Sequence, residues 1–183
     1  MHGRRVAASV MLVAVLATAG CAEGTGARTD MTFDDAQQTT AVHMEELIAR
    51  IDPVLIERID EVRSESSGCS GLDVDPEQRV RYWETRRYIW FVASVSPLGG
   101  LDVLDELVTA QVADGWTLAR DRPDGDGRRV QLFAPDLGAD AGEDDTDAGY
   151  GVNIVGGGEV GGLTSLNISA ASPCFEVAAG EEP

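Results

Sequence analysis

Residues 79–95 read RVRYWETRRYIWFVASV, and this stretch decides the fold. Tyr88, Trp90 and Val92 alternate with Ile89, Phe91 and Ala93, so both alternating sets are apolar near the end of the segment. Alternation with a period of two belongs to a strand, and a strand apolar on both sides is covered on both. The stretch predicts a central strand with a helix on one of its faces. Gly99-Gly100 marks a break after it.

Downstream, LDVLDELVTAQVAD at 101–114 places Leu101, Leu104, Leu107, Val108 and Val112 on one helical face,. Gly115 stands where a left-handed residue stops a helix,. Residues 116–121 and 129–134 read as two strands, with PDGDG at 123–127 as a hairpin signal between them,. Residues 150–155 and 163–170 read as a last pair, joined across GGGEVGG, which is long for a tight turn. Upstream, Thr32 or Asp34 caps a helix carrying Val42, Met44, Leu47, Ile48 and Ile51, which ends before Asp52-Pro53,. VLIERIDEVRSES at 54–66 is a strand, and Ser67 to Gly71 a turn,. The order predicts an α+β domain over residues 32–177: an antiparallel sheet of about five to six strands with two helices packed on one face. Residues 178–183 form a loose tail.

At the amino terminus Arg4 and Arg5 precede an uncharged run, Val6 to Ala19. Its roughly 14 residues are fewer than the about 20 that a membrane-spanning helix needs, so residues 1–20 read as an export signal. Thr18-Ala19-Gly20-Cys21 then resembles the lipobox of bacterial lipoproteins, although leucine is commoner than threonine at the first position. The resemblance implies cleavage between Gly20 and Cys21 and a diacylglycerol on the Cys21 sulfur. Residues 21–31 become the lipidated cysteine and a flexible tether; nine such residues average roughly 15–18 Å end to end.

With Cys21 assigned to lipid, Cys69 and Cys174 remain as an even pair in an exported chain, where oxidation is allowed, and are expected to form one disulfide,. The chain has 32 acids and 14 bases, every base an arginine, and loss of Arg4 and Arg5 leaves 20 acids in excess. A field of that sign disfavours nucleic acid and excludes attachment by basic patches.

The layout from Leu101 to Phe175 resembles small lipoproteins of actinobacteria: a helix ending in Gly115-Trp116, an Asp-Gly hairpin, and a last strand running into Ser172-Pro173-Cys174, with the upstream cysteine in a Gly/Ser context. That likeness implies a location on the cell membrane's outer face and a fold, and no activity.

Catalytic constellations are hard to assemble. There is no G-x-S-x-G elbow, lysine is absent, and His43 is the one histidine of the mature chain,. Glu84, in RYWETRRY, is the least bland acid, with pairing to Arg81, Arg86 or Arg87 as its ordinary role,. Asp121, Asp124 and Asp126 belong to a hairpin turn. Glu143, Asp144, Asp145 and Asp147 form an acidic loop in which weak calcium binding is the minority reading,. Gly156-Gly157-Gly158 lacks the following helix of a phosphate cradle, and the sequon Asn167-Ile168-Ser169 falls in a strand.

No catalytic residue, resident metal or cofactor is expected. The first functional expectation is a non-catalytic, lipid-anchored domain that docks or supports another envelope component, a reading that an exposed apolar patch on the sheet would favour. The second is a carrier of a small ligand or lipid, with a cavity between sheet and helices lined by Trp83, Trp90 and Trp116, which are otherwise core residues. A hydrolase built on paired carboxylates ranks last.

Overall fold

A computed structural model describes residues 30–69, 75–135 and 150–177. The first helix, α1 (Phe33–Ile48), begins at a capping box: Thr32 Oγ1 accepts from the Asp35 N–H and the Asp35 carboxylate accepts from the Thr32 N–H, both at 3.2 Å,. Its buried stripe is Phe33, Ala36, Thr40, Met44, Leu47 and Ile48. Val42 stands off that stripe, 46% exposed, because it lies two residues, about 160° round the helix, from Thr40 and Met44,.

A short turn at Pro53–Leu55 leads to β1 (Ile56–Gly68) and β2 (Val80–Phe91). The second helix, α2 (Pro97–Ala113), starts earlier than the sequence reading has it. Ser96 caps it by accepting from the Gly99 N–H, and Pro97 occupies the first turn, so the two glycines lie inside the helix rather than at a break,. Gly100 is there for closeness: a Cβ on it would lie 2.6 Å from Thr164 Cγ2 on the sheet. Gly115, with φ 92°, terminates α2 as expected,.

The remaining strands are β3 (Thr117–Asp124), β4 (Gly127–Phe133), β5 (Gly151–Val160), β6 (Leu163–Ala171) and β7 (Phe175–Glu176). All pairings are antiparallel, in the order β1-β2-β6-β5-β4-β3, and β7 continues the β6 side of β2 at Val80 and Arg81. The α+β class, the two helices on one face and the antiparallel sheet are as the sequence indicates; β7 is the added strand.

The β5–β6 connection is a two-residue turn rather than a long loop. Val160 pairs with Leu163, and Gly161 and Gly162 take φ 62° and 84°, the two positive values of a type I′ hairpin.

Met44 and Leu47 of α1 and Leu104 and Leu107 of α2 meet Ile89, Phe91, Val130, Leu132, Val152, Ile154, Leu166 and Ile168 of the sheet in one core. Burying each such side chain contributes about 1.5–3 kcal/mol. A smaller cluster beneath the start of α1 joins Phe33, Ala36, Trp83, Phe175 and Val177. The Cys69–Cys174 disulfide is formed, tying the end of β1 to the approach to β7. Among the described residues no helix is long and apolar enough to cross a membrane.

Candidate functional site

Helices cover one face of β2, as expected, while its other face is open, a correction to the expectation that both faces are covered. Thr85, Ile89 and Phe91 point to the helices and are buried, whereas Tyr82, Arg86, Tyr88 and Trp90 alternate with them and stay part-exposed. Tyr88 and Trp90 resemble core residues in sequence, but they stack on each other on the open face, 5.8 Å between centroids and 22° apart. The Trp90 indole donates to Asp60 at 2.8 Å, and the Arg58 guanidinium lies 4.7 Å over its ring,.

Register carries this face across the sheet. Arg63 of β1 stands opposite Arg86, Arg86 opposite Ser169, Ser169 opposite Asn153, and Asn153 opposite Gln131. One row over, Tyr88 faces Asn167. The two halves of the row differ. On β1 and β2 the charges neutralise one another: Glu84 takes Arg86 at 2.6 Å and Arg63 at 3.4 Å, and Arg63 also holds Glu65. Of the three partners suggested for Glu84, only Arg86 is used; Arg81 bonds Ser66, and Arg87 turns to Glu45 and Glu61. Arg81 and Arg87 occupy odd positions of β2, facing away from Glu84.

On β4, β5 and β6 the row is neutral. Gln131, Asn153, Asn167 and Ser169 are half-buried and make no side-chain hydrogen bond to any described residue. At the disulfide end a groove of about 370 Å³ opens over Gln131, Asn153 and Ser169, with Tyr82 and Phe133 at its sides and Cys69 and Cys174 at its end. Its floor is shallow in side chains because Gly151 has none; a Cβ there would press on the Phe133 ring at 3.2 Å.

The three tryptophans do not share a cavity. Trp83 is buried with Phe33 and Phe175, Trp116 packs in the main core, and Trp90 lies on the opposite side of the sheet. Alternation separates Trp83 from Trp90, since they are seven residues apart and an odd step changes face. A second cleft of about 260 Å³ lies between the end of α1 and α2, lined by Ile51, Leu55, Val103 and Leu107 with Arg50 and Glu106, and no tryptophan reaches it.

His43 sits on the helix side, edge-on to Trp116 at 5.1 Å and Tyr150 at 5.5 Å, with Glu46 at 3.7 Å. It is separated from the groove by the sheet. Asp121 is clasped by Arg128, whose Nε and Nη2 donate at 2.7 and 2.6 Å and hold the carboxyl below its ordinary range. The same bonds, with a third to Asp105, push the Arg128 guanidinium up. Asp124 takes Arg129, so Asp121 and Asp124 are both held by arginines, and Asp126 lies in the Gly125-Asp126 hairpin turn. Among the described residues no group of three or more His, Cys, Asp or Glu side chains is placed to hold a metal ion. Gly20, Cys21 and the acidic residues Glu143, Asp144, Asp145 and Asp147 lie outside the described residues.

The exposed large apolar side chains are Val54, Ile59, Val62, Leu98 and Val160 among others, none of them in the open-face rows traced above. The neutral row was missed by sequence reading. Its signal is the polar residue at alternate positions of three successive strands: Gln131, then Asn153, then Asn167 and Ser169. Comparison with protein-family models, curated proteins and solved structures finds no match to this chain.

Proposed function

We infer that the chain is an exported, lipid-anchored binding domain of the cell envelope. Cys21 carries the lipid, the short tether follows, and the domain stands on the outer face of the cytoplasmic membrane with the open side of its sheet turned to a partner. The observation that carries this reading is the Cys69–Cys174 bridge. Structural disulfides persist in oxidising compartments and are rare in the cytosol, and this one accompanies Thr18-Ala19-Gly20-Cys21 behind an apolar run. The likeness to small actinobacterial lipoproteins points the same way.

The domain binds rather than reacts. Glu84 is neutralised by two arginines, and His43 lies across the sheet from the groove. The carrier reading, with a cavity between sheet and helices, draws no support from tryptophans that lie in separate places. Docking through an apolar sheet face draws none from the open-face row, whose centre is polar.

The test is expression of the full chain in a bacterial host fed an alkyne fatty acid, beside Cys21→Ala, followed by mass spectrometry of the mature amino terminus. The expected result is label on the parent chain only, with an acylated Cys21 as first residue. A soluble product beginning elsewhere would overturn the reading.

A further inference from the structure

We propose that the open face of the sheet, from the Tyr88–Trp90 stack to the groove at Gln131, is a binding site for uncharged carbohydrate. The proposal deepens the function inferred above by naming the ligand class of that face; it rests on the face and not on the lipid anchor.

The first ground is the unspent hydrogen-bonding capacity. Asparagine is disfavoured in strands, yet Asn153 and Asn167 lie in β5 and β6, which have neighbours on both sides. Residues directly opposite on one face are close enough to bond each other. Asn153 stands opposite both Gln131 and Ser169, and no side-chain bond joins them. Each amide offers two donors and two acceptor sites, and each hydroxyl one donor and two acceptor sites. A sugar hydroxyl is likewise donor and acceptor at once, so a polyol matches this set without leaving one half unused.

Charge narrows the ligand further. An anion would meet a strongly acidic chain, and the nearest cations, Arg63, Arg86 and Arg129, already hold Glu84, Glu65 and Asp124. A cation would find Glu84 already neutralised. What remains is a neutral polar ligand. Aromatic rings lie at both ends of the surface: Tyr82 and Phe133 in the groove, Tyr88 on Trp90 at the other end. The part-exposed rings of Tyr82 and Tyr88 suit the C–H faces of sugar rings, as an apolar body with a polar edge suits an aromatic wall,. Trp90, with Tyr88 stacked on it and Arg58 over it, and the buried Phe133 back them. From Tyr82 to Trp90 the strand runs about 27 Å at ~3.4 Å per residue, room for a chain of several sugars rather than one. An extended peptide, the competing neutral ligand, ordinarily adds to an exposed sheet edge, and this surface is the middle of a face.

The experiment uses the full chain in a detergent without a sugar headgroup. Glucose, mannose and N-acetylglucosamine, each as monomer and tetramer, are titrated by calorimetry and tryptophan fluorescence, beside an acidic oligosaccharide and a neutral tetrapeptide. The variant is Gln131→Ala with Asn153→Ala, with melting temperature as the control for folding; Ser169→Ala serves if the double variant melts early. We expect saturable binding of at least one neutral tetramer, tighter than its monomer and unchanged between 50 and 500 mM salt, roughly the range over which exposed charges become screened. The variant should weaken binding roughly tenfold or more with its melting temperature retained. Absence of saturable binding to every neutral sugar up to about 10 mM, preference for the acidic sugar or the peptide, or unchanged affinity in the folded variant would each overturn the proposal. None of these outcomes bears on acylation of Cys21, which is read separately by mass.

Discussion

Replacing both bridged cysteines, Cys69→Ala with Cys174→Ala, should destabilise the domain mainly by freeing the unfolded chain. The bridge closes a separation of 105 residues, for which the loop-entropy relation gives about 4.8 kcal/mol at 25 °C. The native side of the balance changes little, because both cysteines are flanked by backbone bonds that survive their loss. The Cys69 N–H donates to the Val80 carbonyl at 3.0 Å, and the Val177 N–H donates to the Arg79 carbonyl at 2.8 Å. Phe175 stays pinned by Phe33 and Trp83. For a domain of this size each kcal/mol is worth about 2–4 °C, so the variant should melt roughly 10–19 °C lower.

Urea unfolding followed by tryptophan fluorescence separates the two states. Loss of a cross-link lets the unfolded ensemble expand, so the slope m should rise while the midpoint falls. A loss below about 1 kcal/mol would refute the reasoning, since the unfolded chain would then gain almost nothing from release. A loss well above 5 kcal/mol with unchanged m would refute it from the other side, by showing that the bridge holds native packing together.

Three further outcomes follow from the same geometry. Trp83→Ala should cost about 3–5 kcal/mol as a buried aromatic truncation, and Trp90→Ala only about 1 kcal/mol, the worth of one aromatic stack; chemical denaturation of the two variants checks the assignment of faces. Gly127→Ala should cost about 3 kcal/mol by overpacking, because its Cβ would stand 2.1 Å from the Gly156 carbonyl oxygen, while Gly158→Ala, with nothing within 4 Å, should stay within about 0.5 kcal/mol,. The Asp121 carboxyl titrates lower folded than unfolded, so its contribution is present above pH ~4 and is lost as pH falls through the folded value,; urea midpoints of the parent and Asp121→Asn should differ at pH 6 and draw together as the pH falls through that value.

Much of the fold is legible because its local signals agree. The capping box at Thr32, the stripe of α2, Gly115 as its stop and the cysteine pair each act over short range or by elimination. The face of β2 was misjudged because aromatic identity outweighed pattern. Tyr82, Glu84 and Arg86 occupy the same alternating positions as Tyr88 and Trp90, and three polar or charged neighbours mark a face turned to water more reliably than two rings mark a core,. The glycines of 156–158 resist reading for another reason. A Cβ at Gly156 would lie 2.5 Å from Leu166 and 3.1 Å from Leu104, so its meaning depends on where α2 packs, which local sequence does not state.

That same glycine run decides whether the neutral row exists. The Gly161-Gly162 turn sets paired positions of β5 and β6 to sum to 323, as in Val160 with Leu163 and Gly158 with Ser165. Carried unchanged down the hairpin, that register would place Ile154 opposite Ser169 and Asn153 opposite Ala170, a core residue against a polar one on each face. A bulge at Gly157, φ 86°, absorbs one residue. Below it the sum becomes 322, Ile154 meets Ile168 in the core, and Asn153 meets Ser169 on the open face,. The bulge tolerates no side chain cheaply, because φ is positive and Leu101 of α2 lies 2.9 Å from where a Cβ would be,. One residue thus brings the hydrophobic pattern of two strands into phase, and the aligned amides and hydroxyl on the far side of the sheet are the other half of the same adjustment.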